Sequence, residues 1–135
     1  MSEITEAKAI ELSRKYFDLK EPVLASVWKV TNLNDQDNNY FLVIFGEIDA
    51  SLAIATVKIK KGDLGITARL SGTLPHLNIS KEKALELSNS IENAPIELVW
   101  KPGKLSLSQL YPIWKVDAPS GILYINQEGI ISDKL

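Results

Sequence analysis

Apolar residues recur along the chain first at helical spacing and then at strand spacing, and this succession occurs twice. In the first passage Ala9, Leu12, Tyr16 and Leu19 stand three or four residues apart, with Phe17 flanking them, which predicts a helix over 5–17. Thr5 is placed to cap its first turn, because its hydroxyl can accept from an amide that has no partner inside the helix. Ile4, one residue earlier, is placed to pack against that turn. Alternating runs then predict strands over 23–31, 40–48, 52–60 and 64–70. In the second passage Ala84, Leu87 and Ile91 predict a helix over 80–92, with Ser80 as its cap and Ile79 before it. Strands follow over 96–101, 110–117, 121–126 and 129–133. Lys61-Gly62-Asp63, Pro102-Gly103-Lys104, Pro119-Ser120-Gly121 and Glu128-Gly129 supply turns between strands. Strands this short and closely spaced pair as antiparallel hairpins.

The two passages also share residues. Ile4–Ser13 and Ile79–Ser88 are identical at six of ten positions and lie 75 residues apart. Val27-Trp28-Lys29 and Val99-Trp100-Lys101 match at an offset of 72, as a shortened loop between the anchors would produce. Two matching blocks in the same order predict an internal duplication. The expected fold is therefore α+β: a tandem repeat of a helix plus about four antiparallel strands, with the helices packed on one face of an antiparallel sheet. It forms a single domain over 1–135, with repeat 1 at 4–71, a linker at 72–78 and repeat 2 at 79–135.

Strand alternation separates the faces. Leu24, Trp28 and Val30 share one side, as do Ile96, Leu98 and Trp100, so both tryptophans are expected in the core beneath a helix. In the third strand Ala53, Ala55, Val57 and Ile59 face inward. The strand at 40–48 is apolar on both sides: Phe41, Val43 and Phe45 alternate with Tyr40, Leu42 and Ile44. In the second copy Trp114, Val116 and Leu123 are assigned inward, and Tyr111 and Ile113 outward, with Ile122 and Tyr124 adding to the same outer side. Tyr40, Leu42, Ile44, Tyr111, Ile113 and Tyr124 are thus the candidate partner-binding residues, forming an outer apolar patch. The competing expectation is that loop 31–39, a terminus or the coiling of the sheet covers that side.

Composition narrows the chemistry. The length of 135 residues and a hydrophobic fraction of 45% suit a domain with its own core. The absence of cysteine excludes disulfides, thiolate metal sites and a cysteine nucleophile. The net charge of −2 argues against nucleic acid as a partner, since neutralising phosphates needs a positive surplus. Lys58, Lys60 and Lys61 read as the solvated end of a strand. No run approaches the ~20 apolar residues of a membrane span, and Met1-Ser2-Glu3 does not begin a signal peptide, so the expectation is a cytoplasmic chain without a membrane partner. Asp35-x-Asp37-x-Asn39 has the opening spacing of a calcium loop, but Tyr40 stands where glycine is needed and Gly46 where a bidentate glutamate is needed. His76 is the only histidine, is expected at the surface, and cannot by itself build a zinc site. Glu47 and Asp49 share a strand face as solvated acids. No cofactor, metal or catalytic residue is expected.

One stretch carries a family resemblance. Trp114-Lys115-Val116, Gly121-Ile122-Leu123-Tyr124-Ile125 and Glu128-Gly129-Ile130-Ile131, with Ser80, Ala84 and Leu87 in the preceding helix, resemble a PepSY domain. The resemblance covers 79–131 and reaches 4–66 through the repeat; Asn126-Gln127-Glu128 departs from the family's acidic final hairpin. It implies a cystatin-like helix on antiparallel strands and a role in restraining peptidases. The tandem layout is also similar to the architecture of β-lactamase inhibitor proteins. The expected function is a non-catalytic binding or regulatory module that meets a protein partner, or a second copy of itself, through the open sheet face. Two alternatives stand beside it: a pocket between helix and sheet for a small hydrophobic ligand or an enzyme's substrate, and a self-associating structural domain.

Overall fold

A computed structural model describes residues 3–19, 23–47, 50–70, 72, 76–91 and 93–135. The protein is α+β, and the chain divides into two compact units, Met1–His76 and Leu77–Leu135.

In the first unit α1 spans Glu6–Phe17. The Thr5 hydroxyl accepts from the Lys8 amide at 3.1 Å, and Asp18 closes the helix in the left-handed conformation. The side chains that α1 buries are Ala9, Ser13 and Phe17; Tyr16, expected in the apolar stripe, is exposed. Ser13 is tolerated inside because its hydroxyl donates to Ala9 O at 2.8 Å. Strands β1 (Ala25–Asn32), β2 (Tyr40–Glu47), β3 (Ala50–Lys58) and β4 (Leu64–Arg69) follow, each antiparallel to the one before. A bulge between Phe45 and Gly46 resets the β2–β3 register. Gly46 sits there at φ 126°, where an added Cβ would lie 2.5 Å from Ala50 O, so only glycine fits.

Ala9 and Phe17 join Phe41, Val43, Phe45, Ala53, Ala55, Val57 and Ile59 in one buried cluster. The inward assignments of β2 and β3 therefore hold. The Phe17 and Phe45 rings meet edge to face at 6.1 Å, and the Arg14 guanidinium lies 5.3 Å from the Phe45 ring centre.

Trp28 is different. It is opposite Leu42 in the ladder, so it stands on the face away from α1, where it is half-buried; Val27, opposite Val43, packs against the α1 cluster instead. Trp28 is not the core residue beneath a helix that alternation suggested. Period 2 sorts a strand into two sets, and it does not say which set receives the helix.

In the second unit α2 spans Lys81–Leu87, with the Ser80 hydroxyl accepting from Lys83 N at 3.1 Å. The helix is shorter than the expected 80–92. Asn89 turns left-handed at φ 55°, and Ile91, assigned to the apolar stripe, is 69% exposed; Leu85 is buried with Ala84. Strands β5 (Ile96–Trp100), β6 (Ile113–Ala118), β7 (Gly121–Ile125) and the two-residue β8 (Ile131–Ser132) pair antiparallel in sequence order. Residues 110–112, expected within a strand, belong to the loop before β6.

Leu98, Trp100, Trp114, Val116 and Ile125 are buried on one face of these strands, and Val99 and Ile113 are buried on the other. Trp114 Nε1 donates to Ile79 O at 2.7 Å, and Ile79 N donates to Gln127 Oε1 at 2.8 Å. Gln127 Nε2 in turn donates to Pro112 O at 3.1 Å. Both backbone groups of the residue that leads into α2 are thus held, and the start of α2 is fixed on the Trp114 side. Trp100 belongs to that side and is buried. The aligned tryptophans accordingly occupy unlike places: Trp100 is on the helix face of its unit and Trp28 is not.

Candidate functional site

The six candidate residues do not form one open patch. Tyr40, Leu42 and Ile44 do share a face of β2, and Trp28 and Ile54 lie beside them, opposite Leu42 and Ile44 in the ladders. All three are buried, with Leu42 at 0% exposure. Ile113 is buried as well. Tyr111 is exposed and lies in the loop before β6, and Tyr124 is half-buried on β7. The expectation of an exposed apolar face on 40–48 is corrected: both faces of β2 are core, which is why both carry large apolar side chains. Burial also pushes the Tyr40 phenol well above the usual tyrosine range, since the phenolate would lose its hydration.

On β5, β6 and β7 the face that bears the buried Val99 and Ile113 is open farther along, beyond that pair. Glu97 is opposite Lys115, and Lys115 is opposite Tyr124; Asp117 is opposite Ile122. By alternation Glu97, Lys115, Asp117, Ile122 and Tyr124 point away from the Trp114 side. Lys115 Nζ lies 3.8 Å from the Glu97 carboxylate. Ile122 is 47% exposed. Pro95, Glu97, Lys115, Asp117 and Ile122 help line a groove of about 390 Å³ on this face. Its walls offer one cation, two carboxylates and apolar side chains.

A second groove, of about 600 Å³, runs along α1 and is lined by Ile10, Glu11, Arg14, Lys15 and Leu19 among others. Arg14 is already engaged there, since Nη1 donates to Val23 O at 2.9 Å and the guanidinium covers Phe45.

The acidic loop uses its oxygens internally. Asp35 accepts from Asp37 N at 3.1 Å and from Asn38 Nδ2 at 2.6 Å. Asp37 Oδ1 takes Lys60 Nζ at 2.9 Å, and Asn39 Oδ1 takes Asn32 N at 2.8 Å. That hydrogen bond and the carboxylate charge hold the Lys60 ammonium above the ordinary lysine range. Among the described residues no three His, Cys, Asp or Glu side chains come together as a metal site. His76 is buried, not at the surface as expected, and its backbone N–H donates to Ser51 Oγ at 2.9 Å. Of the Glu47 and Asp49 pair, Glu47 is exposed at the end of β2, and Asp49 lies outside the described residues. No helix among the described residues is long and apolar enough to cross a membrane.

Sequence reasoning overlooked the β5–β6 loop. Leu107, midway along it, is 87% exposed. The available signal was charge: between Glu97 and Asp117 the chain carries Lys101, Lys104 and Lys115 and no acid.

Compared with family models, curated proteins and solved structures, the chain matches none of them.

Proposed function

We propose that the protein is a non-catalytic binding or regulatory module that engages a protein partner through the open face of β5, β6 and β7. The observation that carries this reading is that face itself, where exposed Ile122 and half-buried Tyr124 border the Glu97–Lys115 pair and the groove beside it. We also infer that the two helix-plus-four-strand units descend from one duplicated unit. The repeated blocks at 4–13 and 79–88 and the shared order of elements support that reading. The PepSY resemblance of 79–131 gives the partner its class, a peptidase held in check.

Capture from a native lysate tests this, with Ile122→Glu as the interface variant and Leu52→Glu, an exposed position on β3, as the control. A partner retained by wild type and Leu52→Glu but lost with Ile122→Glu supports the assignment, and a rise in peptidase activity on releasing that partner supports the class. A partner equally retained by Ile122→Glu refutes it. If light scattering shows instead that wild type self-associates and Ile122→Glu does not, the face is a homodimer interface.

A further inference from the structure

The loop from Lys101 to Pro112 joins β5 to β6 and is tightly hydrogen-bonded. The buried Ser106 hydroxyl lies 2.9 Å from Ser108 O and 2.6 Å from Tyr111 O. Gly103 N donates to Ser106 O at 3.1 Å, and Tyr111 N to Ser108 O at 3.0 Å. Asn126 Nδ2 staples the loop to the body of the unit through Leu105 O at 3.0 Å. The Ser106 hydroxyl is thus used within the loop, while the Leu107 side chain beside it is exposed. Leu107, at 87%, is the most exposed large apolar residue among those described, and Tyr111 nearby is 46% exposed. Lys101 and Lys104 precede Leu107 in the same loop, are exposed, and join no ion pair among the described residues. An ordered loop that carries an exposed leucine and tyrosine together with exposed lysines loses little entropy on docking, and its charge selects an anionic counterpart.

We propose that this loop is a peripheral membrane contact, with Leu107 and Tyr111 entering the interfacial layer of a bilayer and Lys101 and Lys104 meeting the phosphates of anionic lipids. A lipid surface fits better than an acidic protein for physical reasons. A stable protein interface buries about 800 Å² on each side and depletes lysine at its core, whereas this feature is a single short loop whose charges are lysines. A fluid bilayer moulds itself to a contact as small as one loop. Lysine stems lie along the acyl boundary while their ammonium groups reach the headgroups, and tyrosine favours the same depth. A leucine, a tyrosine and two lysines give weak, reversible attachment that salt diminishes.

The test is co-sedimentation of the full chain with vesicles of phosphatidylcholine alone or mixed with phosphatidylglycerol, at low and physiological salt. Wild type is expected to bind the anionic vesicles only. Each lysine near an anionic surface contributes about fivefold in affinity, so Lys101→Gln with Lys104→Gln should weaken binding roughly 25-fold. The chain lacks cysteine, so Leu107→Cys accepts a single environment-sensitive dye, whose emission should shift to the blue and resist an aqueous quencher on the anionic vesicles. All these residues are exposed, and circular dichroism checks that the variants keep the fold. No sedimentation of wild type with anionic vesicles at low salt overturns the proposal, as does binding with the dye at 107 still open to the quencher. Retention on immobilised polyglutamate without vesicle binding also overturns it and assigns the loop to an acidic protein partner.

Discussion

Leu42→Glu distinguishes a core face from a contact face on β2. Leu42 is fully buried, lies opposite Trp28 and Thr56, and stands between Tyr40 and Ile44 on its own strand. Removing its side chain, as in Leu42→Ala, should cost about 2–5 kcal/mol from lost transfer energy and the cavity left behind. The carboxylate adds more: a fully buried Glu has its pKa raised by roughly 3–5 units, and at pH 7 the ~2.7 units above its ordinary ~4.3 count, at about 1.4 kcal/mol each. The sum at neutral pH approaches the ~5–15 kcal/mol that holds an ordinary domain together. Leu42→Glu should therefore be unfolded, or nearly so, at pH 7. The sign of its pH dependence follows from the raised folded-state pKa. The protonated acid is tolerated, so the penalty is least below pH ~4.3 and grows as pH rises toward the folded-state value. Urea titrations of wild type, Leu42→Ala and Leu42→Glu, followed by circular dichroism at several pH values, measure both effects. A Leu42→Glu variant with a wild-type midpoint at pH 7 would place position 42 in water and refute the assignment of both β2 faces to the core.

Trp100→Ala should cost about 3–5 kcal/mol, as for a core aromatic, and Trp28→Ala clearly less; equal losses in denaturant titration would contradict the unlike placement of the two tryptophans. Gln127→Ala leaves the buried Ile79 amide without its acceptor and should cost about 1–3 kcal/mol, with strong coupling to Trp114→Phe in a double-mutant cycle; additive losses would mean that the two side chains do not clamp Ile79 together. Tyr40, its folded-state pKa raised, contributes stability that is complete below pH ~10 and is lost as pH rises further, so alkaline unfolding of wild type should begin at lower pH than that of Tyr40→Phe; coincident curves would refute this. Millimolar calcium should leave the melting temperature unchanged, because the Asp35, Asp37 and Asn39 oxygens already have donors; an EDTA-reversible rise would show that calcium displaces them.

Local signals carried the elements. Thr5 and Ser80 cap helices because a hydroxyl one residue before a helix meets the same free amides wherever the helix lies. The alternation of Phe41, Val43 and Phe45 with Tyr40, Leu42 and Ile44 was legible for the same reason, since successive side chains on any strand point to opposite sides. Only the tertiary structure decided what each side meets. Val27-Trp28 and Val99-Trp100 read alike, yet α1 packs on the valine side in the first unit and the start of α2 lies on the tryptophan side in the second. Which face a helix covers depends on where distant segments cross, and a shift of one residue exchanges the two faces. The same holds for the candidate site. The apolar run at 40–45 announced that both sides of β2 need cover or a partner, and burial settled for cover. The exposure of Leu107 was hidden because the loop around it is held by hydrogen bonds of Ser106 and Asn126, side chains 20 residues apart, and no short window along the chain contains that pairing.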